Sequence, residues 1–378
     1  MTEALTKAGQ EHLAVKLRDY AALLRSAAPL ADSTGEIPAA VLSHPATALF
    51  SAAYLPVEYG GGITDSGTGK RIECSARLCA YIVEEIALGD PGLCCALPGP
   101  SLTFPVLNAF GNSDQKRKYF SLFCGEQPVW GGFAITEPHA GTDAFALKTR
   151  AAKVAGGYVL NGTKCFITNG ERASFFILFA TINANLRQFG QRAFIVDRSF
   201  PGFSVGTRER MLGLRVAGLT EIVLSDCFVP DENLLRDQAG RAHVPAIEGP
   251  RVAWKHCRIE VSSIAVASAR TICEELRSQY GIRLDDLERD VQIGRLLCQN
   301  AADRVDAGHS AAYEVAVAKA FTAGLAANAT LRAIQELGAS ALKEGSLFER
   351  LFRATKAFDI MEGTGEIQRE HIAKEFLI

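Results

Sequence analysis

Leu160-Asn161-Gly162-Thr163-Lys164-Cys165-Phe166-Ile167-Thr168-Asn169-Gly170 is the stretch that divides the chain. Tyr158-Val159-Leu160 reads as a strand, Asn161-Gly162 is a residue pair favoured in two-residue hairpin turns, and residues 165–168 read as the return strand. Residues 175–180, 193–196, 203–205 and 221–228 are further short β runs punctuated by Gly and Pro. Residues 125–236 are therefore expected to form a small β-domain of sandwich or barrel type.

Both flanks change to helical periodicity. Upstream, residues 13–30 and 76–88 carry apolar side chains at helical spacing, the second run stopping at Gly89-Asp90-Pro91. Tyr59-Gly60-Gly61-Gly62 must be a loop, and a helix over 114–123 takes Ser113 and Asp114 as caps. Downstream, residues 252–276, 284–307 and 311–338 are long amphipathic stretches suited to an antiparallel bundle. Shorter helices over 349–358 and 366–376 are joined by Met361-Glu362-Gly363-Thr364-Gly365. The fold class expected is mainly α with a central β-domain: 1–124 helical, 125–236 β, 237–378 a helical bundle. No GxGxxG opens a helix after a strand, so the plan is not a Rossmann one.

The 378 residues are too many for one simple core. A net charge of -2 argues against a generally basic nucleic-acid surface. No run of about 18 apolar residues suggests a membrane span. Residues 1–10 show no continuous apolar segment of a secretory signal, which points to a cytoplasmic setting. The ten cysteines are scattered, with no CxxC and no His/Cys cluster at zinc spacing, so packing thiols and no metal are expected.

Three segments can carry chemistry. Gly132-Phe133-Ala134-Ile135-Thr136-Glu137-Pro138-His139-Ala140-Gly141-Thr142-Asp143 can offer N–H and hydroxyl donors to a planar polar ligand, or can be a capped turn entering the β-domain. Phe166 and Thr168, two apart, place an aromatic face beside a hydroxyl, or are part of an ordinary hairpin. Glu362, next to Ile360-Met361 at a helix break, is where burial would raise a carboxyl pKa, or is a solvated loop residue near an N-cap Thr364.

Taken in order, these segments resemble the acyl-CoA dehydrogenase family from about Leu55 to Ala373. Pro56-Val57-Glu58-Tyr59-Gly60-Gly61, Glu84-Glu85-Ile86-Ala87 with Asp90-Pro91, and Phe110-Gly111 with Gln115-Lys116 and Tyr119 are similar to its N-terminal pattern. Thr136 to Asp143 resembles its first signature, Leu160 to Lys164 with Ile167 to Gly170 its β-domain motif, and Glu362-Gly363-Thr364 with Glu366-Ile367-Gln368-Arg369 its C-terminal motif.

The resemblance implies an acyl-CoA dehydrogenase fold: helical N-terminal domain, β-domain and C-terminal four-helix bundle. It implies FAD extended between β-domain and bundle, its tail reaching a neighbouring subunit of a homotetramer or dimer. Phe133, Ile135, Thr136, Phe166, Ile167 and Thr168 match positions that hold the flavin ring. Arg277, Tyr280, Gln335, Gly338, Thr364 and Glu366 match other FAD contacts. Thr142, Glu248, Arg251 and Gly363 fall on the substrate side, and Glu362 matches the catalytic base. The implied reaction removes the α-proton of an acyl-CoA or acyl carrier protein thioester to Glu362 and the β-hydrogen to flavin N5, giving a trans-2-enoyl thioester. The thioester oxygen would accept from the Glu362 N–H and a ribityl hydroxyl. An electron-transferring flavoprotein would reoxidise the flavin. Some members carry the base immediately before the Arg matched by Arg251; here that slot is Pro250.

Several positions depart from the family. A usual Gly-rich run reads Gly338-Ala339-Ser340-Ala341-Leu342, a usual Gln is Glu288, Met361 stands where an aromatic is common, and Phe166 replaces a common Trp. Trp254-Lys255-His256 occupies a normally small, apolar stretch. A flavin oxidase or monooxygenase on the same fold, or a non-catalytic binding subunit, are the alternatives.

Overall fold

The computed structural model describes residues 4–377; Met1, Thr2 and Glu3, the start of the N-terminal stretch read above, and Ile378 lie outside the described residues. The chain begins with α1 (Lys7–Thr34), α2 (Ala39–Leu42) and α3 (Pro45–Ala53), then a two-stranded ribbon of β1 (Ile63–Thr64) and β2 (Arg71–Ile72). Next come α4 (Ala76–Ala87), α5 (Pro91–Ala96), α6 (Thr103–Phe110) and α7 (Ser113–Phe120). In α1, Leu13, Leu17, Tyr20, Leu24, Ala28 and Ala31 fall on one face at spacings of three or four, and all are buried. The cap of α7 is Asn112, not Ser113 or Asp114. Asn112 Oδ1 accepts from Gln115 N at 2.8 Å while Gln115 Oε1 accepts from Asn112 N at 2.9 Å, so a reciprocal capping box sets the start.

The central strands are β3 (Gly131–Ala134), β4 (Arg150–Val154), β5 (Gly157–Ile167), β6 (Phe175–Thr181), β7 (Gln191–Asp197), β8 (Phe203–Arg208) and β9 (Thr220–Pro230). They form one seven-stranded sheet in the order β3-β6-β4-β5-β9-β8, with β7 paired to β6. All seven residues of β6 are buried: Phe175, Ile177 and Phe179 pack toward the N-terminal helices, Phe176, Leu178 and Ala180 into the sheet's own core.

The Asn161-Gly162 turn does not form. β5 runs straight through it, and the hairpin instead turns at Ala155-Gly156 between β4 and β5. Gly162 marks a register shift against β9, at φ 151°, where an added Cβ would lie 2.6 Å from Thr149 Oγ1. Asn161 is spent on Asp226, donating Nδ2 to its Oδ1 at 3.0 Å and accepting from its N at 2.8 Å. A residue pair suited to a turn thus serves a β-bulge.

The last part of the chain is α8 (Val244–Tyr280), α9 (Asp285–Asp306), α10 (Ala312–Leu337), α11 (Leu347–Ile360) and α12 (Gly365–Lys374). α8 starts ahead of the residue-252 boundary read from periodicity and runs through Pro250. Val266, Ile272 and Leu276 of α8 meet Leu287 and Val291 of α9, Val315 and Leu325 of α10, and Leu351 of α11 in one core. Each such side chain contributes about 1.5–3 kcal/mol on burial. α8 packs on α4 and α6, and α9 on α4, so these two helices join the N-terminal helices to the bundle.

Candidate active site

α11 ends at Ile360, and the chain then turns through Glu362 at φ 57° and Gly363 at φ 92°. A left-handed glutamate costs about 1–2 kcal/mol and persists only if held. It is held through its main chain. Arg258 of α8 donates Nε to the Glu362 carbonyl at 2.8 Å. Lys319 of α10 donates Nζ to the Gly363 carbonyl at 2.5 Å, and Gln368 of α12 adds Nε2 at 3.0 Å. Both cations are buried, and burial pushes the Lys319 ammonium down to about 8. A Cβ at Gly363 would meet Arg258 Nη2 and Gln368 Nε2 at 3.1 Å.

The Glu362 side chain is half-buried. Desolvation raises its pKa; Arg258 and then Lys319 oppose the rise without cancelling it. The Glu362 N–H finds no backbone acceptor among the described residues. A carboxyl of raised basicity and a free N–H therefore sit at one turn.

A second wall is built by the β3 exit loop and the end of β5. Cys165 N donates to the Thr136 carbonyl at 2.9 Å. The fully buried Lys164 Nζ donates to Glu137 Oε1 at 2.7 Å and to the Ile135 carbonyl at 3.1 Å. Glu137 also accepts from Lys148 N at 2.7 Å and Thr149 N at 3.0 Å. Burial alone would raise the Glu137 pKa, but Lys164 and these donors hold it below the usual value. Burial takes Lys164 down to about 8, against the pull of Glu137.

On this frame Phe166 adopts φ 58° and its ring stays 55% exposed, unusual for a strand phenylalanine. Thr136 and Thr168 are half-buried, and their hydroxyls have no hydrogen-bond partner among the described residues. An uncovered aromatic face flanked by two unpaired hydroxyls fits a flat heteroaromatic ring with a polar edge, such as a flavin. Phe133 is half-buried and tilted on Phe179, ring centres 5.2 Å apart. The Ile135 and Ile167 side chains point into apolar cores, which leaves only their backbone groups to reach a ring.

The other residues singled out from the sequence lie on the surface. Arg277 and Tyr280 end α8, both exposed, and Arg277 pairs with Glu288 at 3.5 Å. Glu288 lies 4.0 Å from Arg283 as well, so its charge is balanced by two guanidiniums. Gln335 is exposed, and Gly338 has φ 61°, ψ -144°, a backbone region nearly confined to glycine. Ala339 and Ser340 face outward and only Ala341 is buried. Thr364 is the N-cap residue of α12, with Glu366 exposed in its first turn. Glu248 and Arg251, near the start of α8, pair at 2.6 Å. Thr142 is exposed beside Asp143, which pairs with Arg187 at 2.7 Å. None of these makes a hydrogen bond or ion pair to the Glu362 turn among the described residues.

Arg258 of α8 and Lys319 of α10 carry no sequence signal, whereas Trp254 and His256 belong to the out-of-pattern stretch noted in the sequence. Trp254 packs on the cluster that contains Phe179, and the Arg258 guanidinium lies 5.6 Å from its ring centre. His256 is kept neutral, its pKa pushed down to about 4 first by burial and then by Lys255. Arg258 and Lys319 had no local motif to mark them; they act on a turn 104 and 44 positions away.

Residues 132–227 match the model of the acyl-CoA dehydrogenase middle domain and residues 253–377 that of the acyl-CoA dehydrogenase C-terminal domain. The chain is 33% identical to an acyl-CoA dehydrogenase of Bacillus subtilis (strain 168), covering 96% of each chain. Its structure is similar to butyryl-CoA dehydrogenase from Megasphaera elsdenii, with a TM-score of 0.86, 27% identity and full coverage of both chains. It is also similar to a prolyl acyl carrier protein oxidase, with a TM-score of 0.82, 25% identity and coverage of 99% and 100%. Fold and relatives together define an oxidoreductase acting on CH–CH groups. The chain belongs to the acyl-CoA dehydrogenase family.

Proposed function

We propose that this protein dehydrogenates the α,β bond of an acyl thioester, with Glu362 as the base that takes the α-proton. The carrying observation is the Glu362 turn itself. A thioester α-proton is too weakly acidic for a carboxylate in water, and desolvation raises the basicity of this one. The Glu362 N–H, lacking a backbone acceptor, is free to donate to the thioester oxygen as negative charge develops there. Arg258 and Lys319 hold both groups through the backbone, so neither has to move during the reaction.

FAD is the cofactor this wall suits, and when bound it accepts the β-hydrogen as hydride. Phe166 would cover its ring while Thr136 and Thr168 donate to its edge. Phe133 and the backbone of Ile135 and Ile167 would complete that wall. Arg277, Tyr280, Gln335, Gly338, Thr364 and Glu366 would serve the rest of the cofactor, in this subunit or across an interface. Thr142, Glu248, Arg251 and Gly363 would line the thioester's path. The carrier is coenzyme A or an acyl carrier protein, and an electron-transferring flavoprotein is the acceptor. Self-association is supported by exposed Ile293, Leu296 and Leu331 on α9 and α10. No helix among the described residues is long and apolar enough to cross a membrane, and a cytoplasmic setting suits ten free thiols.

The likeness to an acyl carrier protein oxidase keeps one second reading, in which oxygen reoxidises the flavin. Anaerobic titration with acyl thioesters, followed by air, separates the two. Glu362→Gln should retain FAD and lose flavin reduction by about 10³-fold or more. Near-normal reduction in that variant would exclude Glu362 as the base.

A further inference from the structure

Resting on the dehydrogenation proposed above, we infer that Arg258 recognises a carboxylate carried on the acyl group of the substrate. Arg258 is only 9% exposed, and its guanidinium spends a single nitrogen on the protein, Nε donating to the Glu362 carbonyl at 2.8 Å. Nη1 and Nη2, the fork of the guanidinium, donate to no described residue, and Arg258 forms no ion pair among the described residues. Neither nitrogen is sealed off, so the fork of a buried cation faces accessible space.

Contacts on three sides fix where the fork lies. Nε touches the Glu362 carbonyl. A Cβ at Gly363 would lie 3.1 Å from Nη2, so this nitrogen rests against a residue with no side chain to cover it. One turn back on α8, the Trp254 ring centre is 5.6 Å from the guanidinium carbon, and Trp254 packs on the same cluster as Phe133. The fork therefore lies between the Glu362 turn and the wall that Phe133 joins. Arg251, Trp254 and Arg258 follow at spacings of three and four on one face of α8, which puts the fork in line with Arg251.

The protein brings only donors to this point. Lys319 Nζ and Gln368 Nε2 both serve the Gly363 carbonyl, and the fully buried Gln368 Oε1 has no partner, so it does not bond the fork. An unfilled guanidinium fork is complementary to a planar anion with two oxygens. Its place selects the source of that anion. One hydrogen bond separates Arg258 from the residue that would take the α-proton, whereas the phosphates of the carrier lie a whole pantetheine arm from the thioester. The acyl group is the part of the substrate within reach. A hydrocarbon acyl end would leave the cation desolvated and unpaired; a carboxylate would pair with it.

The FAD-loaded protein should be titrated anaerobically with CoA monothioesters of short dicarboxylic acids, with their terminal carboxamides as neutral isosteres, and with unsubstituted acyl-CoAs. Wild type should reduce faster, in rate over concentration, with the carboxylate series than with the carboxamides, by on the order of 30-fold or more. Arg258→Met should slow both series and abolish or invert that ratio. Arg258→Lys keeps the charge without the fork and should give an intermediate ratio; it carries the test if Arg258→Met does not fold. Equal or reversed preference in wild type overturns the inference and leaves the dehydrogenase intact. So does a ratio unchanged in the Arg258 variants, which would make Arg258 a support of the turn or a donor to the thioester oxygen, and so does bleaching by unsubstituted acyl-CoAs but by neither series. If no thioester bleaches the flavin, the dehydrogenase reading fails and this inference falls with it.

Discussion

Replacing Arg258 with Met tests whether the Glu362 turn is held from α8. Arg258 Nε lies 2.8 Å from the Glu362 carbonyl, a charge-assisted bond worth about 1.5–3 kcal/mol. Its loss would leave a left-handed residue, itself strained by about 1–2 kcal/mol, on the Lys319 and Gln368 contacts alone. A displacement of about 1 Å at a reacting group costs about 10²-fold in rate, so flavin reduction should slow by roughly 10–100-fold. A second effect has a definite sign. Arg258 is the leading group that opposes the desolvation of Glu362, so removing it raises the Glu362 pKa further. With Glu362 as the base proposed above, reduction would require the carboxylate and climb as pH rises through that pKa. The acid limb of the rate profile should therefore move to higher pH. Stopped-flow reduction of the loaded enzyme across pH reads both effects. A variant with wild-type rate, or with a limb that stays put or moves to lower pH, would refute the clamp.

Two further outcomes separate frame from wall. Phe166→Ala should change folding stability by less than about 0.5 kcal/mol, because the ring is mostly exposed, yet the purified protein should carry much less flavin. A large drop in melting temperature with normal flavin content would make Phe166 a core residue instead. Lys164→Met strands Glu137 in the interior and should cost about 3–5 kcal/mol in urea unfolding, with Glu137→Gln added to it recovering much of the loss. Additive losses in the double variant would show that the two side chains do not act as a pair.

The helix–β–helix order was legible because periodicity changes twice along the chain, and long stretches such as α9 and α10 carry it without breakers. Asn161-Gly162 misled because the same pair suits a tight turn and a bulge, and only the partner strand β9 decides between them. Glu362 could be found from its motif. Its supports could not: Arg258 and Lys319 read as ordinary charges on amphipathic helices until packing turns both toward one loop. Glu288 could be flagged as a misplaced charge, while the guanidiniums that balance it emerged only from the meeting of α8 and α9.

Both cations at the Glu362 loop donate to carbonyl oxygens and make no hydrogen bond or ion pair to the carboxylate, which they reach only through their charge. The loop is thus a socket whose shape does not depend on what is plugged into it. Exchanging the side chain at position 362 changes the reagent without dismantling its mount, so shortened, neutral or elongated replacements can be compared as chemistry alone.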